Sequence, residues 1–219
     1  MTIADNWAGV RDRVRVACEQ AGRDPESVTI IAVGKTHPAA LIREAFDAGA
    51  RDFGENYAQE WAEKQAALDL PLRWHFIGRL QSNKAKLVAG KVALVHAVES
   101  VSLATELGKR AGGVQPILIS VNVGGEVTKG GVTVATAPEL FRQLIEVPGV
   151  RVDGVMTMPP PDVDPAPLFD ELRGLRDRLQ DQAGRALPVL SMGMSGDYET
   201  AIRCGATHVR IGTAIFGSR

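Results

Sequence analysis

The sequence predicts an α/β protein, a TIM-type (β/α)₈ barrel with an extra N-terminal helix. Three observations carry this. Eight short apolar runs alternate with helix-period segments along 219 residues. The runs read as strands because they are brief, rich in Val, Ile and Leu, and bounded by Gly, Pro or polar turns, as strands buried on both faces are. The connections are mostly short, which suits a closed parallel barrel, whereas an open doubly wound sheet would use fewer units and leave a crevice. Residues 1–219 are therefore expected to form one domain.

Taken in order, Trp7, Val10, Val14, Ala17 and Ala21 keep a helical period from Ala4 to Ala21, and Gly22 stops it. Val28 to Val33 is the first strand, followed by Gly34, Lys35, Thr36 and His37. Pro38 opens a helix from Ala39 to Ala48, Gly49 ends it, and Arg51 to Gly54 makes a second strand with Glu55, Asn56 and Tyr57 at its mouth. The cycle continues with helix Ala58 to Leu68, strand Trp74 to Ile77, helix Gln81 to Ala89 and strand Ala93 to Val98. Helix Leu103 to Ala111 and strand Ile117 to Val123 follow, then a glycine-rich loop from Gly124 to Gly131 that could act as a lid. Helix Pro138 to Ile145, strand Val152 to Met156, a triple-proline loop and helix Leu168 to Gln182 lead to the last two units. These are strand Val189 to Met192, helix Tyr198 to Cys204 closed by Gly205, and strand His208 to Ile211.

Composition removes several function classes. The formal net charge is −1 with 45% apolar and 23% charged residues, so no basic field exists to hold a nucleic acid. No run approaches a membrane span, no secretory pattern opens the chain, and a cytoplasmic protein is expected. The two cysteines, Cys18 and Cys204, lie in predicted helices as small buried side chains. The four histidines show no paired metal-ligand spacing, so no metal is expected.

Chemistry in such a barrel gathers at the strand C-terminal ends. The last two units place Ser195 at an expected helix N-cap and Gly212 with Thr213 directly after the final strand. A hydroxyl, free N–H groups and a bare Gly-Thr turn after strands 7 and 8 suit one phosphate dianion. Of seven lysines, Lys64, Lys84, Lys86, Lys91 and Lys109 read as solvated helix charges and Lys129 lies in the glycine-rich loop. Lys35 follows an apolar strand, where a partly desolvated amine of lowered pKa can attack a carbonyl and hold it as a Schiff base. The competing reading pairs it with Glu55 or Asp153. Arg210, two residues before Gly212 inside a strand, needs a specific partner. A pyridine nitrogen is one, and an internal carboxylate such as Asp153 or Glu99 is the other. Together these residues frame a phosphorylated aldehyde about the size of pyridoxal 5′-phosphate.

AVGKTHP at 32–38, FGENYAQE at 53–60, WHFIGRLQSNK at 74–84, VDGVMTM at 152–158, SMGMSGDYETAI at 191–202 and VRIGTAIFG at 209–217 resemble the pyridoxal phosphate homeostasis proteins, relatives of the alanine racemase N-terminal domain. The resemblance implies that Lys35 carries the cofactor, that Ser195, Gly212 and Thr213 bind its phosphate and that Arg210 meets the ring nitrogen. It also implies pocket positions for Asn56, His75 and Met194. Arg79 stands where the family usually has proline or histidine. The implied function is to buffer or deliver the cofactor to apoenzymes, with a monomer expected; the runner-up is a weak amino-acid racemase. A racemase needs a second base, for which Tyr57 is a better candidate than Tyr198. A Schiff-base aldolase has thin support in Glu55, and GGEVTKGG at 124–131 lacks the Gly-Lys-Ser/Thr of a P-loop.

Overall fold

The computed structural model describes residues 2–126 and 130–217 and contains the expected barrel. Its strands are β1 (Thr29–Val33), β2 (Asp52–Glu55), β3 (Arg73–Phe76), β4 (Leu94–Val98), β5 (Gln115–Ser120), β6 (Val150–Met156), β7 (Val189–Ser191) and β8 (His208–Ile211). All pair in parallel in chain order, and β8 closes on β1 through the pairs Thr29 with His208 and Ala32 with Ile211. Closure leaves no exposed strand edge.

The outer ring consists of α1 (Ile3–Gln20), α2 (Ala39–Asp47), α3 (Ala58–Ala67), α4 (Ala85–Val88), α5 (Val101–Arg110), α6 (Ala137–Leu144), α7 (Pro165–Ala183), α8 (Tyr198–Arg203) and α9 (Thr213–Phe216). A capping box starts α1, in which the Thr2 hydroxyl accepts from the Asp5 N–H and the Asp5 carboxylate accepts from the Thr2 N–H. Its buried stripe of Trp7, Val10, Val14 and Cys18 packs toward α2, α8 and α9, and Asn6 Nδ2 donates to the Ile215 carbonyl at 2.9 Å. The extra N-terminal helix thus fills the gap in the ring that the single turn of α9 leaves open.

Two apolar regions result. The large one lies between sheet and helices, and a small one of Leu94, Ala97, Leu118, Met156 and Val189 is separate from it. The buried polar residues Asp52, His75, His96, Ser191 and Arg210 also lie on the strands.

Several boundaries differ from those read in the sequence. The expected helix from Gln81 to Ala89 is a 3₁₀ turn, Ser82–Lys84, followed by the one-turn α4, because only Ala85, Val88 and Ala89, all at its C-terminal end, are buried to anchor it. The fifth strand stops at Ser120: Val132 N–H donates to the Ser120 carbonyl and Asn122 N–H to that of Val132, so the returning loop captures the chain expected to extend to Val123. Helix α7 begins three residues early because Asp164 caps it and Pro165 is tolerated in a first turn. Ser195 is not an N-cap; α8 starts at Tyr198 behind Asp197, whose carboxylate accepts from Met194 N–H at 2.6 Å. Within the glycine-rich loop, residues 127–129, with Lys129, lie outside the described residues. Among the described residues, no helix is long and apolar enough to cross a membrane.

Candidate functional site

The loop after β1 is built under constraint. A Cβ on Gly34 would come within 2.2 Å of Ile42 Cδ1 and 3.2 Å of Glu55 Oε1, so a larger residue would have to displace the end of the Ile42 side chain. Lys35 follows, and then Thr36 at φ 65°, the one positive-φ residue other than glycine among the described residues. A β-branched residue in that region stores on the order of 1–3 kcal/mol, which surrounding bonds must hold.

Those bonds come from a buried ion cluster. Lys64 Nζ donates to the Gly34 carbonyl at 2.7 Å, to Glu55 Oε1 at 2.6 Å and to Glu60 Oε1 at 2.7 Å, while the same Glu60 oxygen accepts from the Thr36 N–H. Lys64 is only 5% exposed, which corrects its reading as a solvated helix charge. Burial pushes the Glu55 carboxyl up to about 7 against the pull of Lys64. Glu55 Oε1 is thereby taken by Lys64, and Asp153 lies on Arg151 at 2.6 Å.

Lys35 opens onto a cavity of about 470 Å³ at the C-terminal ends of the strands, to which all eight strands or their following loops contribute. Asn56, Met194, Ser195, Arg210, Gly212 and Thr213 line the same cavity. At the β7 and β8 side, Ser195 Oγ accepts from Gly212 N–H at 3.3 Å and Ala214 N–H at 3.4 Å. These bonds join the two turns expected to share one anion. Val33, Ile77, Ala97, Met156 and Met194 supply apolar wall.

Arg210 stands at the inner side of the cavity, 5% exposed. Its Nη1 donates to Ser191 Oγ at 2.7 Å and its Nη2 to the Thr157 carbonyl at 2.8 Å, leaving the other guanidinium hydrogens for a ligand. Burial lowers its pKa to about 10, so it stays cationic at neutral pH. Neither internal carboxylate considered for it is used: Asp153 pairs with Arg151, and Glu99 pairs with Arg79 Nε at 2.8 Å. Glu99 also accepts from Gly131 N–H at 2.8 Å, so Arg79 and Glu99 tie the end of the glycine-rich loop to the cavity rim.

His75 is the one expected pocket residue that does not line the cavity. It is buried on β3 and bonded to Asp52 and His96. Tyr57 points out of the site, 57% exposed, and Tyr198 is buried in the core beneath Arg13, so neither lines the cavity. The sequence reading missed the Lys64 cluster, His37 on the cavity wall against Phe216, and the polar column of Ser191 and His96. The signal for the column was present as a histidine and a serine inside otherwise apolar strands. Among the described residues, no group of three His, Cys, Asp or Glu could hold a metal.

An eight-stranded α/β barrel thus turns Lys35, the Ser195 hydroxyl and the buried Arg210 onto one cavity. The chain belongs to the alanine racemase N-terminal domain family, whose sequence profile matches residues 6–219. It is 49% identical over 227 residues to the pyridoxal phosphate homeostasis protein of Aquifex aeolicus, covering 100% of this chain and 99% of the relative. The protein of the same name from Pseudomonas aeruginosa is 47% identical over 222 residues, covering 100% and 96%. Among solved structures, PipY of Synechococcus elongatus with pyridoxal phosphate bound superposes with a TM-score of 0.86 at 36% identity, covering 99% of this chain and 100% of that one. The alanine racemase of Corynebacterium glutamicum shares the fold, with a TM-score of 0.69 at 19% identity over 97% of this chain and 62% of the racemase.

Proposed function

We propose that this chain holds pyridoxal 5′-phosphate in the 470 Å³ cavity and buffers or delivers it. The observation that carries the reading is the convergence of Lys35, Ser195 and Arg210, from three separate strand ends, on one cavity. The pyridoxal phosphate homeostasis relatives and PLP-bound PipY support it. The residues also fit the group: Asn56 Oδ1 is a buried acceptor with no hydrogen-bond partner among the described residues, open to a donor from a ligand. When bound, the cofactor supplies an aldehyde that a lysine amine can hold as a Schiff base.

The residues divide the work. Lys35 presents its amine from a loop pinned by Lys64 and Glu60. Ser195, Gly212 and Thr213 would hold the phosphate end, and Met194 and Asn56, which line the same cavity, would bound the rest of the group. Arg210 would donate to the ring nitrogen and keep it unprotonated, because at neutral pH a guanidinium does not surrender its proton. A ring so held is a weak electron sink, which favours storage over turnover. Residues 1–219 then act as one monomeric binding unit in the cytoplasm that meets apoenzymes transiently.

Titration with pyridoxal phosphate followed by borohydride tests this. The wild type is expected to gain a visible absorption band and a stable mass increment on the Lys35 peptide, and Lys35→Ala to gain neither. Labelling at another lysine would overturn the anchor. Rapid α-proton exchange of L-alanine in heavy water would favour the racemase over the carrier.

A further inference from the structure

One continuous chain of hydrogen bonds runs through the barrel from Arg210. Arg210 Nη1 donates to Ser191 Oγ at 2.7 Å, Ser191 Oγ meets His96 Nδ1 at 2.8 Å, His96 Nε2 meets His75 Nδ1 at 3.0 Å, and His75 Nε2 meets Asp52 Oδ1 at 3.0 Å. Asp52 is held in turn by Arg73 through Nε at 2.9 Å and Nη2 at 2.5 Å, next to a cleft that these two residues line with Trp7, Thr29 and Gly49. We propose that Asp52, His75, His96 and Ser191 form a directed relay that positions Arg210 toward the ring nitrogen of the bound cofactor.

The direction follows from donor arithmetic. A carboxylate only accepts, so His75 must carry its hydrogen on Nε2. Neutral His75 then accepts at Nδ1, which requires His96 to donate from Nε2 and to accept at Nδ1. The Ser191 hydrogen is thereby committed to His96, and the serine lone pairs are turned to Arg210. A residue near the N-terminal end of the barrel in this way sets which acceptor Arg210 finds at the opposite end. Protonated His75 would reverse the His96 bond and add a cation to the interior.

The groups facing this column are charged or titratable on several sides. His208 packs edge-on to His75 and His96, with ring centroids 6.0 and 6.3 Å away. Asp197 attracts Arg210 through space without a hydrogen bond to it, and Arg73 balances Asp52. Burial keeps His96 well below its ordinary pKa, consistent with a neutral ring. The geometry of the relay is independent of any ligand; its effect on the ring nitrogen rests on the function proposed above.

Nitrogen NMR of histidine-labelled, ligand-free wild type at pH near 7.5 reads the relay directly. Both His75 and His96 are expected to carry hydrogen on Nε2 alone. A doubly protonated His75, or hydrogen on His96 Nδ1, overturns the proposal. Asp52→Asn can offer either an oxygen or an N–H to His75, so it removes the directionality while keeping a hydrogen bond. That variant is expected to show mixed His96 tautomers, a shifted absorption maximum of bound pyridoxal phosphate and roughly five- to tenfold weaker binding, the size of one ordinary hydrogen bond. Wild-type tautomers, spectrum and affinity in Asp52→Asn would also overturn it. If the wild type itself fails to bind pyridoxal phosphate, the function is wrong, and the NMR still decides the relay.

Discussion

Lys64 shows how far one residue can depart from the default for its type. It sits on α3 four residues after Glu60, the spacing of an ordinary surface pair, yet its ammonium is buried among Glu55, Glu60 and the Gly34 carbonyl. Replacing it with methionine would leave Glu55 and the Gly34 carbonyl buried without their cation. Lys64→Met is expected to lose about 3–5 kcal/mol in urea unfolding, the cost of breaking a buried pair from one side. Destabilisation below about 1 kcal/mol would mean that Lys64 behaves as a surface charge. Lys35 was legible because it directly follows an apolar strand; Lys64 was not, because helical spacing gives the face of a residue but not the depth of what that face meets.

At the scale of the element, β6 carries an irregularity that its sequence conceals. Ile117 pairs with Val152 but Leu118 with Gly154, so Asp153 is an extra residue in β6 and turns to Arg151. Gly154 lies so close to β7 that a Cβ would stand 1.9 Å from the Val189 carbonyl oxygen. Gly154→Ala is therefore expected to lower stability by about 3 kcal/mol, at the upper end for overpacking, and to raise amide exchange across β6 and β7 above that in β1 and β2. Uniform exchange with unchanged melting would refute it. The bulge also explains why Asp153 could not be assigned from the sequence: strand alternation places a residue inside or outside only while the register is regular.

The whole molecule carries opposing titrations. Burial lowers His208 to about 4 and His96 well below the ordinary histidine value. As pH falls from about 6.5 toward 4, the unfolded chain takes up protons that the folded one refuses, so each histidine removes roughly 1.4 kcal/mol of stability per pH unit. Glu55 has the opposite sign. With its carboxyl raised to about 7, the folded chain binds the proton first, so stability rises as pH falls from 7 toward 4.5. Asp52, lowered to about 2 in spite of burial by its bonds to His75 and Arg73, contributes stability that is lost only below about 4. Glu55→Gln removes the offset, and its unfolding free energy is expected to drop more steeply from pH 7 to 5 than that of the wild type. A parallel or shallower drop would show that Glu55 titrates as an ordinary carboxylate.

The barrel, its strand order and the residues at the strand mouths were determined by sequence alone. Periodicity and turn chemistry are local, and in a parallel barrel they dictate which residues reach the C-terminal rim. Lys35, Asn56, Met194, Ser195, Arg210, Gly212 and Thr213 accordingly line one cavity, while His75 lies outside it. Tertiary structure alone decided what lies behind them. The Lys64 cluster, the bulge at Asp153 and the column from Asp52 to Ser191 depend on residues from different strands and helices coming within 3 Å, and burial then gives those contacts their weight by removing the water that would compete for them.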